Sequence, residues 1–126
     1  MVKLEQNNPL FLGLTHIGQV YSSSWANKIG PCSIYDFNKK ALKNFKNKIF
    51  TQEEPNLENL RNKKITFLKN EKEISKHSLI FFTYDTPINI KNGSPKLLLI
   101  ENLIKKLISI KFEKKTVIIV TTQVYP

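Results

Sequence analysis

At 126 residues and 40% hydrophobic content, this chain has the length of one domain and enough apolar residues to bury a core. Its formal net charge of +10, from 20 Lys+Arg against 10 Asp+Glu, draws anions whatever the partner is. A single cysteine, Cys32, excludes an internal disulfide and a multi-cysteine metal site, and no run nears the roughly 18 apolar residues that a membrane helix needs.

Residues 1–8 are polar, carry no signal-peptide apolar region and read as a loose leader to a soluble cytoplasmic protein. Pro9 to Leu14 is continuous in apolar residues, as a central parallel strand is. It runs into Gly13-Leu14-Thr15-His16-Ile17-Gly18, from which a helix is predicted over Ile17 to Ile29, stopped by Gly30-Pro31. A second strand over Ser33 to Asp36 ends at the acidic residue. Strand, glycine turn, helix, strand and terminal carboxylate together follow the pattern of a dinucleotide-binding βαβ unit. In that pattern Gly13 makes the tight turn and Gly18 lets the helix pack close to the sheet. The backbone N–H groups of His16 and Ile17 face phosphate at the helix N-terminus, where the dipole favours anions. Asp36 hydrogen-bonds the adenosine ribose. Thr15 departs from the pattern: it stands where a glycine lets the backbone approach the pyrophosphate, and its hydroxyl is a candidate phosphate donor instead.

Further along, Asn38 is placed to cap a helix from Lys39 to about Lys46 with Ala41, Leu42 and Phe45 on its apolar face. Thr51 to Arg61 begins as a loop and turns helical at Asn56 to Leu60. A third strand is expected over Lys64 to Leu68 and a short helix over Asn70 to Lys76 with Ile74 facing in. Leu79 to Thr83 is the most buried strand by pattern; Thr86-Pro87 breaks it and Asn92-Gly93 marks an exposed turn. Leu97, Ile100, Leu103, Ile104, Leu107 and Ile108 recur at helical spacing and predict an amphipathic helix over Leu97 to Ile108, followed by a fifth strand over Thr116 to Thr121. This alternation predicts an α/β fold, a parallel sheet with helices on both faces and right-handed crossovers. Its ligand edge lies at the carboxyl ends of the strands, near Gly13, Asp36, Tyr84 and Thr122.

Other features have plainer readings. The lysines are scattered and Arg61 is the lone arginine, whereas nucleic-acid readers concentrate arginine and stacking aromatics in a stripe, so nucleic acid is not an expected partner. His16 and His77 have no metal-ligand company at a workable spacing, and no metal site is expected. Glu53 and Glu54 read as a solvated loop, Trp25 and Phe45 as packing aromatics, and Cys32 as a small residue on a buried strand.

Several separated motifs line up with one family. Gly13-Leu14-Thr15-His16-Ile17-Gly18 resembles a GLGYVG opening, with Asp36 at the distance of a ribose-binding aspartate. Glu54-Pro55-Asn56-Leu57 resembles an EPGL loop, Phe81-Phe82-Thr83-Tyr84-Asp85-Thr86-Pro87 a strand ending in Thr-Pro, and Thr122-Gln123-Val124-Tyr125-Pro126 a Ser-Thr-Val-Pro segment. Together they are similar to the NAD-binding half of the UDP-glucose/GDP-mannose dehydrogenase family over residues 9–126. The resemblance implies a Rossmann-like doubly wound sheet, incomplete at its C-terminal end, with NAD as cofactor. It places Gly13, Thr15, His16, Ile17, Gly18, Asp36, Lys40, Tyr84, Thr86 and Thr122 around that cofactor; Lys40 falls one residue from the position of the family's basic ribose neighbour, and Gln123 replaces a threonine of the family.

In an intact relative, two hydride transfers to NAD oxidise the C6 alcohol of a nucleotide sugar to a carboxylate, through a cysteine-bound intermediate. The family's catalytic cysteine, catalytic lysine and sugar domain correspond to sequence after Pro126, and Cys32, on the second strand, is not that nucleophile. No catalytic residue is therefore expected in this chain, and alone it should bind cofactor without turnover. A nucleotide sugar and a homodimer are expected of an intact form only. Two alternatives stand beside this reading: a Rossmann-like binding or regulatory module that has lost its cofactor, suggested by Thr15, and a basic nucleic-acid-binding domain.

Overall fold

In the computed structural model, which describes residues 8–50 and 64–122, strands and helices alternate along the chain. The order is β1 (Leu10–Leu12), α1 (His16–Lys28), β2 (Cys32–Tyr35), α2 (Lys39–Lys46), β3 (Ile65–Phe67), a 3-10 helix (Glu71–Lys76), β4 (Leu79–Phe82), α3 (Leu97–Ile108) and β5 (Val117–Val120). The five strands form one parallel sheet in the order β3-β2-β1-β4-β5. The chain steps outward from β1 to β3 in one direction and from β4 to β5 in the other. The reversal leaves a crevice at the carboxyl ends of β1 and β4, where ligands of open α/β sheets bind.

Each face of the sheet has its own core. On one face Phe11, Cys32, Ile34 and Ile65 pack with Ala26 of α1 and Phe45 of α2. On the other, Leu10, Leu12, Tyr35, Ile80 and Phe82 pack with Ile74 of the 3-10 helix and with Ile100 and Leu107 of α3. The alternation of side chains along each short strand assigns them to these two faces. Helices therefore cover both faces, and the fold is Rossmann-like.

The element boundaries have local causes. α1 starts at His16, one residue before the expected position, and ends at Lys28. There the N–H groups of Ile29 and Gly30 both bond the Trp25 carbonyl, and Pro31 has no N–H to continue the ladder. α2 begins at the expected residue because Asn38 Oδ1 accepts from the N–H groups of Lys40 and Ala41. The segment before β4 winds as a 3-10 helix with Ile74 fully buried. The helix expected over Asn56 to Leu60, with Glu53, Glu54 and the motif at Glu54 to Leu57, lies outside the described residues, as do residues 1–7 and 123–126.

Two expectations about burial are corrected. β4 is not the most buried strand: β1 and β2 are buried along their whole lengths, while β4 alternates, with Leu79 and Phe81 only half-covered. Phe81 stacks on Phe11 at 4.9 Å and meets Trp25 of α1 at 5.9 Å, and the helix cover on that face thins beyond them. β5, at the edge of the sheet, leaves Val117 and Ile119 exposed on that face and Val120 on the other. In α3, Ile100 and Leu107 reach the core, but Ile108 is 68% exposed because it lies at the margin of the apolar stripe in the last turn. Cys32 is fully buried, its thiol pushed up to about 12 by burial and 3.5 Å from the Ser22 carbonyl. It is a packing residue with no nucleophilic character. Among the described residues no helix is long and apolar enough to cross a membrane, and no group of His, Cys, Asp and Glu could hold a metal ion.

Candidate functional site

The turn after β1 is built around two glycines that nothing else can replace. Gly13 has φ +112°, and a Cβ there would come within 2.8 Å of the Tyr84 ring and backbone nitrogen. A Cβ on Gly18 would lie 1.8 Å from the Gly13 carbonyl oxygen and 2.7 Å from Thr83 Oγ1. The first turn of α1 thus presses directly on the loop that precedes it. Thr83, just after β4, locks this contact: its hydroxyl donates to the Gly13 carbonyl at 2.7 Å, with the Leu12 carbonyl 3.2 Å away. On the other side Gln19 Nε2 donates to the Leu14 carbonyl at 2.9 Å.

Thr15 is tied into the same network. Its hydroxyl donates to the Thr83 carbonyl at 2.6 Å. In this structure the proton joins the turn to β4. No side chain caps α1, and its first turn holds no acidic residue. Its leading N–H groups and the positive end of its dipole are directed at the space beyond the turn.

Asp36 gathers the ends of three strands. It is 3% exposed. Its Oδ2 accepts from the Leu14 N–H at 2.8 Å, from the turn after β1. Its Oδ1 accepts from the Asn38 N–H at 2.7 Å, leading into α2, and from the Tyr84 hydroxyl at 3.0 Å, beyond β4. The Tyr84 oxygen in turn accepts from the Phe37 N–H at 3.0 Å. Burial pushes the Asp36 carboxyl above its ordinary value, against the three hydrogen bonds that favour the ionised form. Burial and the neighbouring Asp36 charge push the Tyr84 phenol up as well, so it stays a proton donor.

These elements border a cleft of about 680 Å³, within the range of about 300–1,000 Å³ usual for small-molecule sites. One wall is the turn, from Leu14 to His16; a second is Asp36 to Asn38 with Ala41. Tyr84, Asp85 and Pro87 form the third, and α3 closes the fourth with Ile100, Leu103 and Lys106 among others. Lys106 is held at the rim, its Nζ 4.6 Å from the centre of the Phe37 ring and 3.1 Å from Glu71. The site therefore offers an apolar interior, a helix N-terminus and, beside it, a buried carboxylate joined to the turn through the Leu14 N–H.

The residues singled out from the sequence divide into three groups. Thr15, His16, Asp36 and Tyr84 line the cleft. Gly13, Ile17 and Gly18 lie behind its wall as the turn and helix start. Thr86, Thr122 and Lys40 do not line it. Thr122 is buried and donates to the Tyr84 carbonyl at 2.6 Å, bracing the segment after β4 from behind. Lys40 is exposed on α2 beside a smaller pocket of about 210 Å³ that Asn38, Ala41 and Asn44 share. The sequence reading missed Phe37, Asp85 and the α3 wall. α3 was legible only as an amphipathic stripe, and nothing local told that its Asn102 and Lys106 edge would face a cavity.

The sequence pattern described as "UDP-glucose/GDP-mannose dehydrogenase family, NAD binding domain" matches residues 9–126. Among curated proteins, none matches. Among solved structures, the chain is similar to a GDP-mannose dehydrogenase from Pseudomonas aeruginosa, with a TM-score of 0.77 at 20% identity over 94% of this chain and 29% of that one. It is similar to a UDP-glucose dehydrogenase from Pyrobaculum islandicum, TM-score 0.76 at 19% identity, over 100% of this chain and 31% of that one. A UDP-N-acetyl-mannosamine dehydrogenase from Staphylococcus aureus gives a TM-score of 0.74 at 19% identity, over 95% and 30% of the two chains. The chain thus spans less than a third of the length of these structures, and at such identities the likeness is one of fold.

Proposed function

This chain belongs to the UDP-glucose/GDP-mannose dehydrogenase family, as an NAD-binding domain, and from that premise we propose that it supplies the cofactor half of a nucleotide-sugar oxidation. The observation that carries the reading is the cleft at the point where the strand order reverses, bordered by the turn that opens α1 and by Asp36, which that turn's Leu14 N–H joins. The residues fit the cofactor in kind. The start of α1 at Thr15 to Ile17 would face the pyrophosphate, Asp36 the adenosine ribose, and the apolar side chains of α3 with Ala41 the adenine. When bound, NAD supplies the hydride acceptor for oxidation of the C6 alcohol of a UDP- or GDP-sugar; the protein's part is to bind and orient it.

The isolated chain is expected to hold NAD without turning over a sugar. Its one thiol is buried on β2, and His77 sits at the amino end of β4, the edge of the sheet away from the cleft. Calorimetric titration of NAD at physiological salt should give saturable one-site binding. The same sample, given UDP-glucose or GDP-mannose with NAD, should form no NADH. A folded sample that shows no saturable NAD binding would contradict the cofactor assignment, and NADH formation would contradict the division of labour.

A further inference from the structure

The carboxylate assigned to the ribose is already satisfied from within the chain. Of the three donors on Asp36, two are backbone N–H groups fixed by the turn after β1 and by the start of α2. The third is the Tyr84 hydroxyl, the one side-chain donor of the set, and it comes from the segment after β4 that forms the adjoining wall of the cleft. With these donors in place Asp36 is 3% exposed, so an incoming hydroxyl has almost no surface of the carboxylate to meet. A ribose hydroxyl and a phenol hydroxyl are the same kind of partner here: neutral O–H donors seeking a charged acceptor.

We infer that Tyr84 is an internal competitor of the cofactor: its hydroxyl occupies the position on Asp36 Oδ1 that a ribose hydroxyl of NAD would take, so the adenosine half binds fully only as that bond is given up. This rests on the reading of the cleft as the NAD site. The Tyr84 ring lies against the Gly13 backbone and stacks on Phe37 at 6.4 Å with the planes within 5°. Breaking the contact also removes the acceptor of the Phe37 N–H, so the closed arrangement resists opening. The 680 Å³ cleft beside the ring is the space into which it can swing. Apparent affinity then falls by the fraction of molecules in which Asp36 is uncovered.

The test is Tyr84→Phe, which keeps the ring on Gly13 and Phe37 and removes only the O–H. NAD and ADP should each bind about tenfold tighter than to the wild type, the worth of a hydrogen bond to a charged group. ADP lacking both ribose hydroxyls (2′,3′-dideoxy-ADP) should bind the variant and the wild type alike. A second measurement needs no variant: if Tyr84 holds the position, the wild type should bind ADP and 2′,3′-dideoxy-ADP within about twofold of each other. Equal or weaker NAD binding by a folded Tyr84→Phe chain would overturn the inference while leaving the cofactor site standing. So would an equal gain for the dideoxy probe, or strong preference of the wild type for ADP over it. If neither folded protein binds NAD, the inference falls together with the proposed function.

Discussion

Gly18→Ala is expected to unfold the first turn of the domain. The added Cβ would sit 1.8 Å from the Gly13 carbonyl oxygen and 2.7 Å from Thr83 Oγ1. Neither partner is the free end of a flexible side chain: one is backbone and the other is bonded to that same carbonyl. α1 must lift off the turn, and lifting it uncovers Ala26 and the Phe11–Trp25 contact in the core behind. Overpacking of this kind costs about 3 kcal/mol, the upper part of the usual range, because no neighbour can yield. For a domain of this size that lowers the melting temperature by roughly 10–20 °C. Gly30→Ala is the control: a Cβ there meets nothing within 4 Å, and its melting temperature should stay within about 3 °C of the wild type. Thermal melts of the two variants side by side decide the matter; similar curves would mean that the turn is not packed as described.

Asp36→Asn is expected to lose stability, and to lose cofactor affinity where Tyr84 no longer covers the carboxylate. The amide has the shape of the carboxylate but turns one acceptor into a donor. Facing Leu14, the amide NH₂ meets an N–H; facing the other way, it meets the N–H of Asn38 and the O–H of Tyr84. Either rotamer leaves at least one buried donor without an acceptor, which costs about 1–3 kcal/mol. Removing the buried charge returns part of that, since burial disfavours the ionised carboxyl. A net loss of about 1–2 kcal/mol by chemical denaturation is therefore expected. Combined with Tyr84→Phe, which uncovers the carboxylate, the substitution should also lower NAD affinity by about tenfold or more relative to Tyr84→Phe alone, because a charged acceptor for the ribose has been replaced by a neutral one. Equal NAD affinity of Tyr84→Phe with and without Asp36→Asn would show that the ribose does not reach Asp36.

What the sequence disclosed and what it withheld follow from how local each cause is. Gly13, Gly18 and Asp36 stood out because a tight turn, a helix pressed on a loop and a strand-end carboxylate each leave a mark at a fixed offset. The Asn38 cap and the stop at Gly30-Pro31 were legible for the same reason. Coverage was not: Leu79, Phe81 and Ile108 are as apolar as their neighbours, and only the placement of α1 and α3 decides that they stay half-covered or exposed. The direction of the Thr15 proton was hidden because its acceptor, Thr83, is 68 residues away. The contact between Tyr84 and Asp36 spans 48 residues and depends on β1 lying between β2 and β4. A sheet order that reverses puts sequence-distant strand ends side by side, and it is there that the site takes shape.

The most direct test of the account is to titrate NAD into isotopically labelled chain and follow the backbone amide resonances. Saturable shifts should appear at Leu14 to Gly18, at Phe37 and Asn38 and at Asp85, while Val117 to Val120 of β5 and Gly30 stay still. Shifts confined to the exposed lysines and lost with added salt, or largest along β5, would place the nucleotide elsewhere and contradict the cleft as the cofactor site.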